Sequence, residues 1–160
     1  MVPSTFAKLI RIAPKSMDRE EQELYQSIIT DHDEHPRNYQ VLEDATHTVE
    51  VHNPICGDRY TIYILLADDR IERLTFTGQG CAISRASASI MSTLVCGLPL
   101  CQVESLGRAV EQFVASGDAP GGFEVGDLIA LRGVHRFPTR RTCALLAWSA
   151  LKKSFADGRG

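Results

Sequence analysis

Cys56-Gly57-Asp58 sets a thiol and a carboxylate two residues apart around a glycine. Gly57 lets the backbone bend tightly enough for both side chains to face one point. Cys81 follows Gly80 at what reads as the start of a helix, where unpaired N–H groups and the helix dipole stabilise a thiolate. Cys143 falls in the first turns of a last helix, where the same effect acts more weakly. Three thiolates and one carboxylate form a donor set suited to tetrahedral zinc. Spacing alone does not decide the matter. A single C-G-D recurs by chance, donors this far apart differ from compact C-x-x-C pairs, and Asp58 is also a natural cap for the turn.

The other chemistry-bearing side chains carry simpler readings. Cys96 and Cys101 have the spacing of a second metal pair, but Gly97 and Pro99 break the helix between them. Buried, inert cysteines are expected there, because a free thiol packs as a small hydrophobe. His52 reads as a strand-face residue, and His32, His35 and His47 as helix-end or surface residues. His135 sits in a segment without clear periodicity, so a place near a metal stays open for it. Trp148 is expected in the core. Arg140 and Arg141 put positive charge at a helix start, which is mildly unfavourable and hints at a functional use for one of them.

These residues need elements to hold them. A loose extension over residues 1–16 is expected, followed by a helix capped by Ser16, with Leu24, Tyr25, Ile28 and Ile29 on its buried stripe, ending before Pro36. From Thr46 the pattern alternates: Val49 and Val51 lie between Thr48, Glu50 and His52, as in a half-buried strand. Residues 60–66 and 71–77 give two more strands around the turn Asp68-Asp69. A small-residue helix runs from Cys81 to Val95. A second spans about 102–115 with Val103, Leu106, Val110 and Phe113 or Val114 inside, and residues 116–122 form a loop. Residues 124–131 suggest a short helix, and Pro138 opens a last helix through Phe155. The order predicts an α+β domain over 17–157, a three-stranded antiparallel meander with helices packed on one face.

Bulk properties narrow the function classes. The chain has 160 residues, 44% of them hydrophobic, enough for one domain with a real core. Seventeen basic against 20 acidic residues give a net charge of -3, which offers no general attraction to nucleic acid or anionic lipid. The longest apolar runs, such as residues 62–67, fall far short of a bilayer span, and residues 6–12 do not read as a secretory signal. A cytoplasmic protein with five reduced thiols is expected.

Three motifs, taken with their order, resemble a known family. Asn53-Pro54-Ile55-Cys56-Gly57-Asp58-Arg59 is the first. Gly78-Gln79-Gly80-Cys81-Ala82-Ile83-Ser84 with Ala86-Ser87-Ala88-Ser89 is the second, and Arg140-Arg141-Thr142-Cys143-Ala144-Leu145-Leu146-Ala147-Trp148 the third. They look like the cysteine motifs of the SufU and IscU superfamily, related to the N-terminal domain of NifU. Leu24-Tyr25 through Asp31-His32 and His35-Pro36-Arg37-Asn38 resemble its opening helix, although Asp33 stands where the family usually has an aromatic residue. The likeness covers roughly residues 20–155. IscU scaffolds carry a histidine immediately before the third cysteine. Thr142 stands there, Arg140 matches a SufU-type arginine, and the long stretch between Cys81 and Cys143 is also SufU-like.

The resemblance implies that Cys56, Asp58, Cys81 and Cys143 bind Zn2+. It implies that Cys56 takes persulfide sulfur from a SufS-type cysteine desulfurase and delivers it toward a downstream cluster-assembly scaffold. That makes the protein sulfurtransferase-like rather than a stand-alone enzyme. Arg140 would approach Asp58 or hold a negatively charged sulfur intermediate. The alternative is a scaffold for iron and a transient [2Fe–2S] cluster, which the missing histidine before Cys143 disfavours. A purely structural zinc domain is the third reading.

Overall fold

The structure is a computed structural model that describes residues 17–121 and 124–158. The expected extension over 1–16, and Ser16 with it, lies outside the described residues. Helix α1, Arg19–Glu34, is capped by Asp18 instead. The Asp18 carboxylate accepts from the Glu21 N–H at 2.8 Å, and Glu21 Oε1 accepts from the Asp18 N–H at 3.2 Å. The two side chains thus satisfy each other's backbone donors in a capping box.

The buried face of α1 is Tyr25, Ile29 and His32, while Leu24 is 54% exposed. The i, i+4, i+7 row of these three forms the contact, and Leu24 sits one position round the helix from it. His32 corrects the surface reading: it is 2% exposed. Its Nδ1 lies 2.7 Å from Ser89 Oγ and its Nε2 2.9 Å from Asp127 Oδ2. A buried imidazole needs partners on both nitrogens, and here they come from two other elements. His32→Ala is expected to destabilise the protein by roughly 2–3 kcal/mol, because it opens a void and takes one of two hydrogen-bond partners from the buried Ser89 hydroxyl, which keeps the Arg37 N–H. Urea denaturation measures this; a loss under about 1 kcal/mol would show the network to be dispensable.

The sheet is an antiparallel meander in the order β1-β2-β3, formed by His47–Asn53, Asp58–Ala67 and Arg70–Gln79. Val49 faces Ile62, Ile62 faces Phe76, and Asn53 faces Asp58 at the end that carries the first cysteine motif. Asp68 and Asp69 both adopt positive φ, 53° and 57°, as a tight two-residue hairpin turn demands. Alternation buries Tyr60, Ile62 and Ile64 of β2 together. They form one core with side chains of the helices.

Helix α2, Ala82–Val95, is built from small residues and is buried along most of its length, including Ala86, Ser87, Ala88, Ser89 and Ser92. Small side chains let α1 and the last helix approach its backbone. The last helix, α4, is Pro138–Gly158. Ser87 ties α2 to α4: its hydroxyl donates to Ala144 O at 2.6 Å and accepts from Trp148 Nε1 at 3.1 Å. Trp148 is in the core, as expected. Helix α3, Leu100–Ser116, buries Val103, Val110, Phe113 and Val114. The expected short helix over 124–131 is a 3-10 segment, Gly126–Arg136. Its buried Leu128, Leu131 and Val134 recur every third residue, which suits three residues per turn.

Cys96 and Cys101 are not buried; both are exposed. Gly97, with φ 88°, turns the chain outward between α2 and α3 and leaves the two sulfurs at that corner. Cys96 Sγ lies 3.1 Å from Ser92 O, a local contact within its own helix end.

Candidate metal centre

The loop from β1 to β2 carries the first donors. Asn53 folds it: its Oδ1 accepts from the Ile55 N–H at 3.1 Å, and its carbonyl accepts from the Gly57 N–H at 2.7 Å. Gly57 takes φ 78°, a left-handed conformation that strains any L side chain. The loop therefore reverses between Cys56, which is exposed, and Asp58, which is 1% exposed at the start of β2.

Asp58 reaches across to α2. Its Oδ1 accepts from the Cys81 N–H at 3.0 Å, and its Oδ2 is 3.9 Å from Cys81 Sγ. Cys81 is the N-cap of α2, and its sulfur accepts from the Ser84 N–H at 3.4 Å. The helix terminus thus meets the sulfur as a thiolate-stabilising end should.

Cys143, in the first turns of α4, completes the set. It is 4% exposed, and its Sγ lies 3.5 Å from Cys56 Sγ. The ligand atoms of Cys56, Asp58 and Cys143 all fall within 4.8 Å of one another. Two sulfurs on a tetrahedral zinc stand about 3.8 Å apart, from Zn–S bonds of about 2.3 Å. The spacing found needs little adjustment. Cys81 stands just outside this trio, linked through Asp58.

The electrostatics fit the same occupant. Burial pushes the Cys143 thiol far above its ordinary value, and hydrogen bonds with Cys56 and Asp58 and the charge of Cys81 add to the shift. Protein groups alone therefore oppose thiolate formation at the most buried donor, and a cation at the centre reverses that balance. The buried Asn53 Nδ2, which has no hydrogen-bond partner among the described residues, lies at the base of the same loop. Two thiols and a carboxylate at this spacing, with the Cys81 sulfur 3.9 Å from Asp58 Oδ2 beside them, form a donor set that fits zinc.

Other expected residues fall outside the cluster. The Arg140 guanidinium lies over the Phe137 ring, 5.4 Å from its centroid, and the side chain is exposed. Arg141 Nη1 donates to His135 O at 2.7 Å. His135 Nδ1 meets Arg132 O at 2.7 Å, so this ring closes the 3-10 segment. His52 is exposed on β1 opposite Arg59. Thr142, beside Cys143, is exposed, and its hydroxyl donates back to Pro138 O at 3.3 Å.

Two residues touch the site without having been singled out from sequence. Ser84 lies three positions after the N-cap cysteine, the position from which a cap is answered. Tyr60 Oη is 2.9 Å from Ser84 Oγ, and burial raises its phenol to about 12. Only the β2 register brings Tyr60 to this point.

Comparison with known proteins agrees with this architecture. The family model described as the NifU-like N-terminal domain matches residues 24–158. The zinc-dependent sulfurtransferase SufU of Bacillus subtilis is 38% identical over 137 residues, covering 86% of this chain and 92% of that one. The iron–sulfur cluster assembly scaffold protein IscU of Streptococcus pyogenes is 35% identical over 131 residues, 82% of each chain. A crystal structure of a candidate cluster assembly scaffold for the SUF system from Fervidobacterium islandicum superposes with a TM-score of 0.71 at 29% identity, over 79% of this chain and 93% of that one. With the three cysteine motifs converging on one end of the meander, the chain belongs to the NifU-like N-terminal domain family, the SufU/IscU group of iron–sulfur cluster assembly proteins.

Proposed function

We propose that this protein is a zinc-dependent sulfur acceptor that takes persulfide sulfur on Cys56 from a SufS-type cysteine desulfurase and passes it to a downstream cluster-assembly scaffold. The observation that carries the reading is the asymmetry of the donor cluster. Cys143 and Asp58 are buried, Cys81 is tied to a helix terminus, and Cys56 is exposed on a glycine-hinged loop. The likeness to a protein named a zinc-dependent sulfurtransferase supports the same reading.

Cys56, Asp58, Cys81 and Cys143 would hold the metal. Bound zinc supplies charge that keeps the thiolates deprotonated at neutral pH and shields them from oxidation. The loop around Gly57 lets Cys56 swing outward, while Asp58 and Cys143 stay anchored in β2 and α4. The Cys56 thiolate attacks the outer sulfur of the desulfurase persulfide. A new S–S bond forms on Cys56, the old one breaks, and the partner's cysteine leaves as a thiolate. Arg140, three residues before Cys143 and exposed on the same helix end, would hold the negatively charged sulfur intermediate. Such a partner implies a cytoplasmic protein. Among the described residues no helix is long and apolar enough to cross a membrane.

A scaffold for a labile [2Fe–2S] cluster is the second reading, favoured by the 35% identity to an IscU named as a scaffold. Metal analysis of protein purified without air separates the two. One zinc per chain in a colourless protein is expected; iron and sulfide in stoichiometric amounts, with visible colour, would favour the scaffold.

A further inference from the structure

We propose that Ser84, oriented by Tyr60, is a positioning residue that holds Cys81 in the donor set and thereby makes Cys56 the thiol that leaves. The inference rests on the carrier reading above and names a device within it.

The Cys81 sulfur accepts from the Ser84 backbone N–H at 3.4 Å, and as a thiol it donates to Ser84 Oγ at 3.7 Å. The hydroxyl also lies 3.1 Å from Cys81 O. Tyr60, 1% exposed, brings its Oη to 2.9 Å from Ser84 Oγ, a contact in which either hydroxyl can donate. With Tyr60 as the donor, the Ser84 proton is left for Cys81, whose carbonyl accepts it at 3.1 Å. A zinc-bound Cys81 thiolate keeps the N–H bond and has no proton to give, so the Ser84 hydroxyl beside it would turn its own proton to the sulfur. Each such bond to an ionised sulfur stabilises it in place and lowers its nucleophilicity.

Cys56 lacks this support. Among the described residues the one hydrogen-bond contact of its sulfur is Cys143 Sγ, 3.5 Å away. The two exposed thiols of the cluster therefore differ in how many protein donors hold each sulfur, not in exposure.

The surroundings of Gly80 show that this arrangement is closely built. A methyl group there would stand 2.5 Å from Ser84 Oγ, 2.6 Å from Tyr60 Oη and 2.8 Å from Asp58 Oδ1. Three oxygen atoms from two elements, β2 and α2, thus close around the backbone that leads into Cys81.

The test alkylates the zinc-loaded full chain with iodoacetamide, maps each cysteine by peptide mass over time, and measures zinc affinity by chelator competition. Wild type is expected to react first at Cys56, with Cys81 protected. Ser84→Ala is expected to raise the Cys81 rate about 10-fold and weaken zinc binding about 10-fold, while the Cys56 rate stays within about twofold. Tyr60→Phe, which removes one oxygen and keeps the ring, should shift Cys81 in the same direction by a smaller factor. It also carries the test if Ser84→Ala does not fold. General loosening would instead accelerate Cys56, Cys81 and Cys143 together, and that result overturns the proposal. So does an unchanged Cys81 rate in variants that hold zinc as wild type does, which leaves the carrier reading standing. A wild type that binds no zinc overturns both.

Discussion

Cys56→Ala and Cys56→Ser are expected to abolish stimulation of a cognate cysteine desulfurase, a loss of at least about 100-fold in sulfur transfer, while the fold is retained. Three donors and a water can still hold a metal, so part of the zinc should remain. No oxygen nucleophile substitutes for a thiolate attacking sulfur, so the serine variant should be as inactive as the alanine one. The residue sits on an exposed loop, and its side chain contributes no packing to the core cluster. Thermal unfolding of the metal-free variants should therefore match wild type within a degree or two. The assay is sulfide or alanine release by desulfurase with each variant. Full stimulation by Cys56→Ala would remove Cys56 from the chemistry.

The second large effect concerns the donors that stay. Cys81→Ser, Cys143→Ser and Asp58→Asn are each expected to weaken zinc binding by about 100-fold or more, and to lower the thermal stability of the zinc-loaded protein. Ligand-linked stabilisation at free zinc 1,000 times the dissociation constant is about 4 kcal/mol, and a 100-fold loss of affinity removes most of it. Asp58→Asn is the sharper choice over alanine, because the amide keeps an acceptor for the Cys81 N–H and loses only the anionic donor. Cys96→Ala and Cys101→Ala serve as controls. Both sulfurs are exposed at the α2–α3 corner, so zinc content should be unchanged and stability should move by under about 0.5 kcal/mol. Atomic absorption and calorimetry read all five variants; full zinc occupancy in the first three would remove them from the donor set.

Much of the architecture was legible in residue pattern because each element announces its period. Alternating Val49 and Val51, the Asp68-Asp69 turn, and the apolar row of the last helix led to the meander and its covering helices. The grouping of Cys56, Asp58 and Cys143 was expected from the likeness of the three ordered motifs to a known family; spacing alone did not give it, because Cys143 lies on the last helix, far along the chain from the meander.

What was missed depended on three-dimensional partners. His32 is polar and near a helix end, so it reads as exposed until Ser89 and Asp127 arrive from other elements to satisfy both nitrogens. Cys96 and Cys101 read as buried because thiols usually are, and the outward turn at Gly97 reversed that. Leu24 belongs to an apolar quartet, but the helix contact is centred one row away. The Tyr60–Ser84 hydrogen bond joins residues 24 positions apart and has no local signature at all.

The carrier account stands most directly on where sulfur goes. Wild-type protein incubated with desulfurase and cysteine, rapidly alkylated and digested, should show a gain of one sulfur atom, about 32 mass units, on the peptide containing Cys56. Cys81, Cys143, Cys96 and Cys101 should remain without added sulfur. Sulfur found instead on Cys81 or Cys143 would contradict the assignment of Cys56 as acceptor. A chain that gains none on any cysteine, while cysteine is being turned over, would contradict the account as a whole.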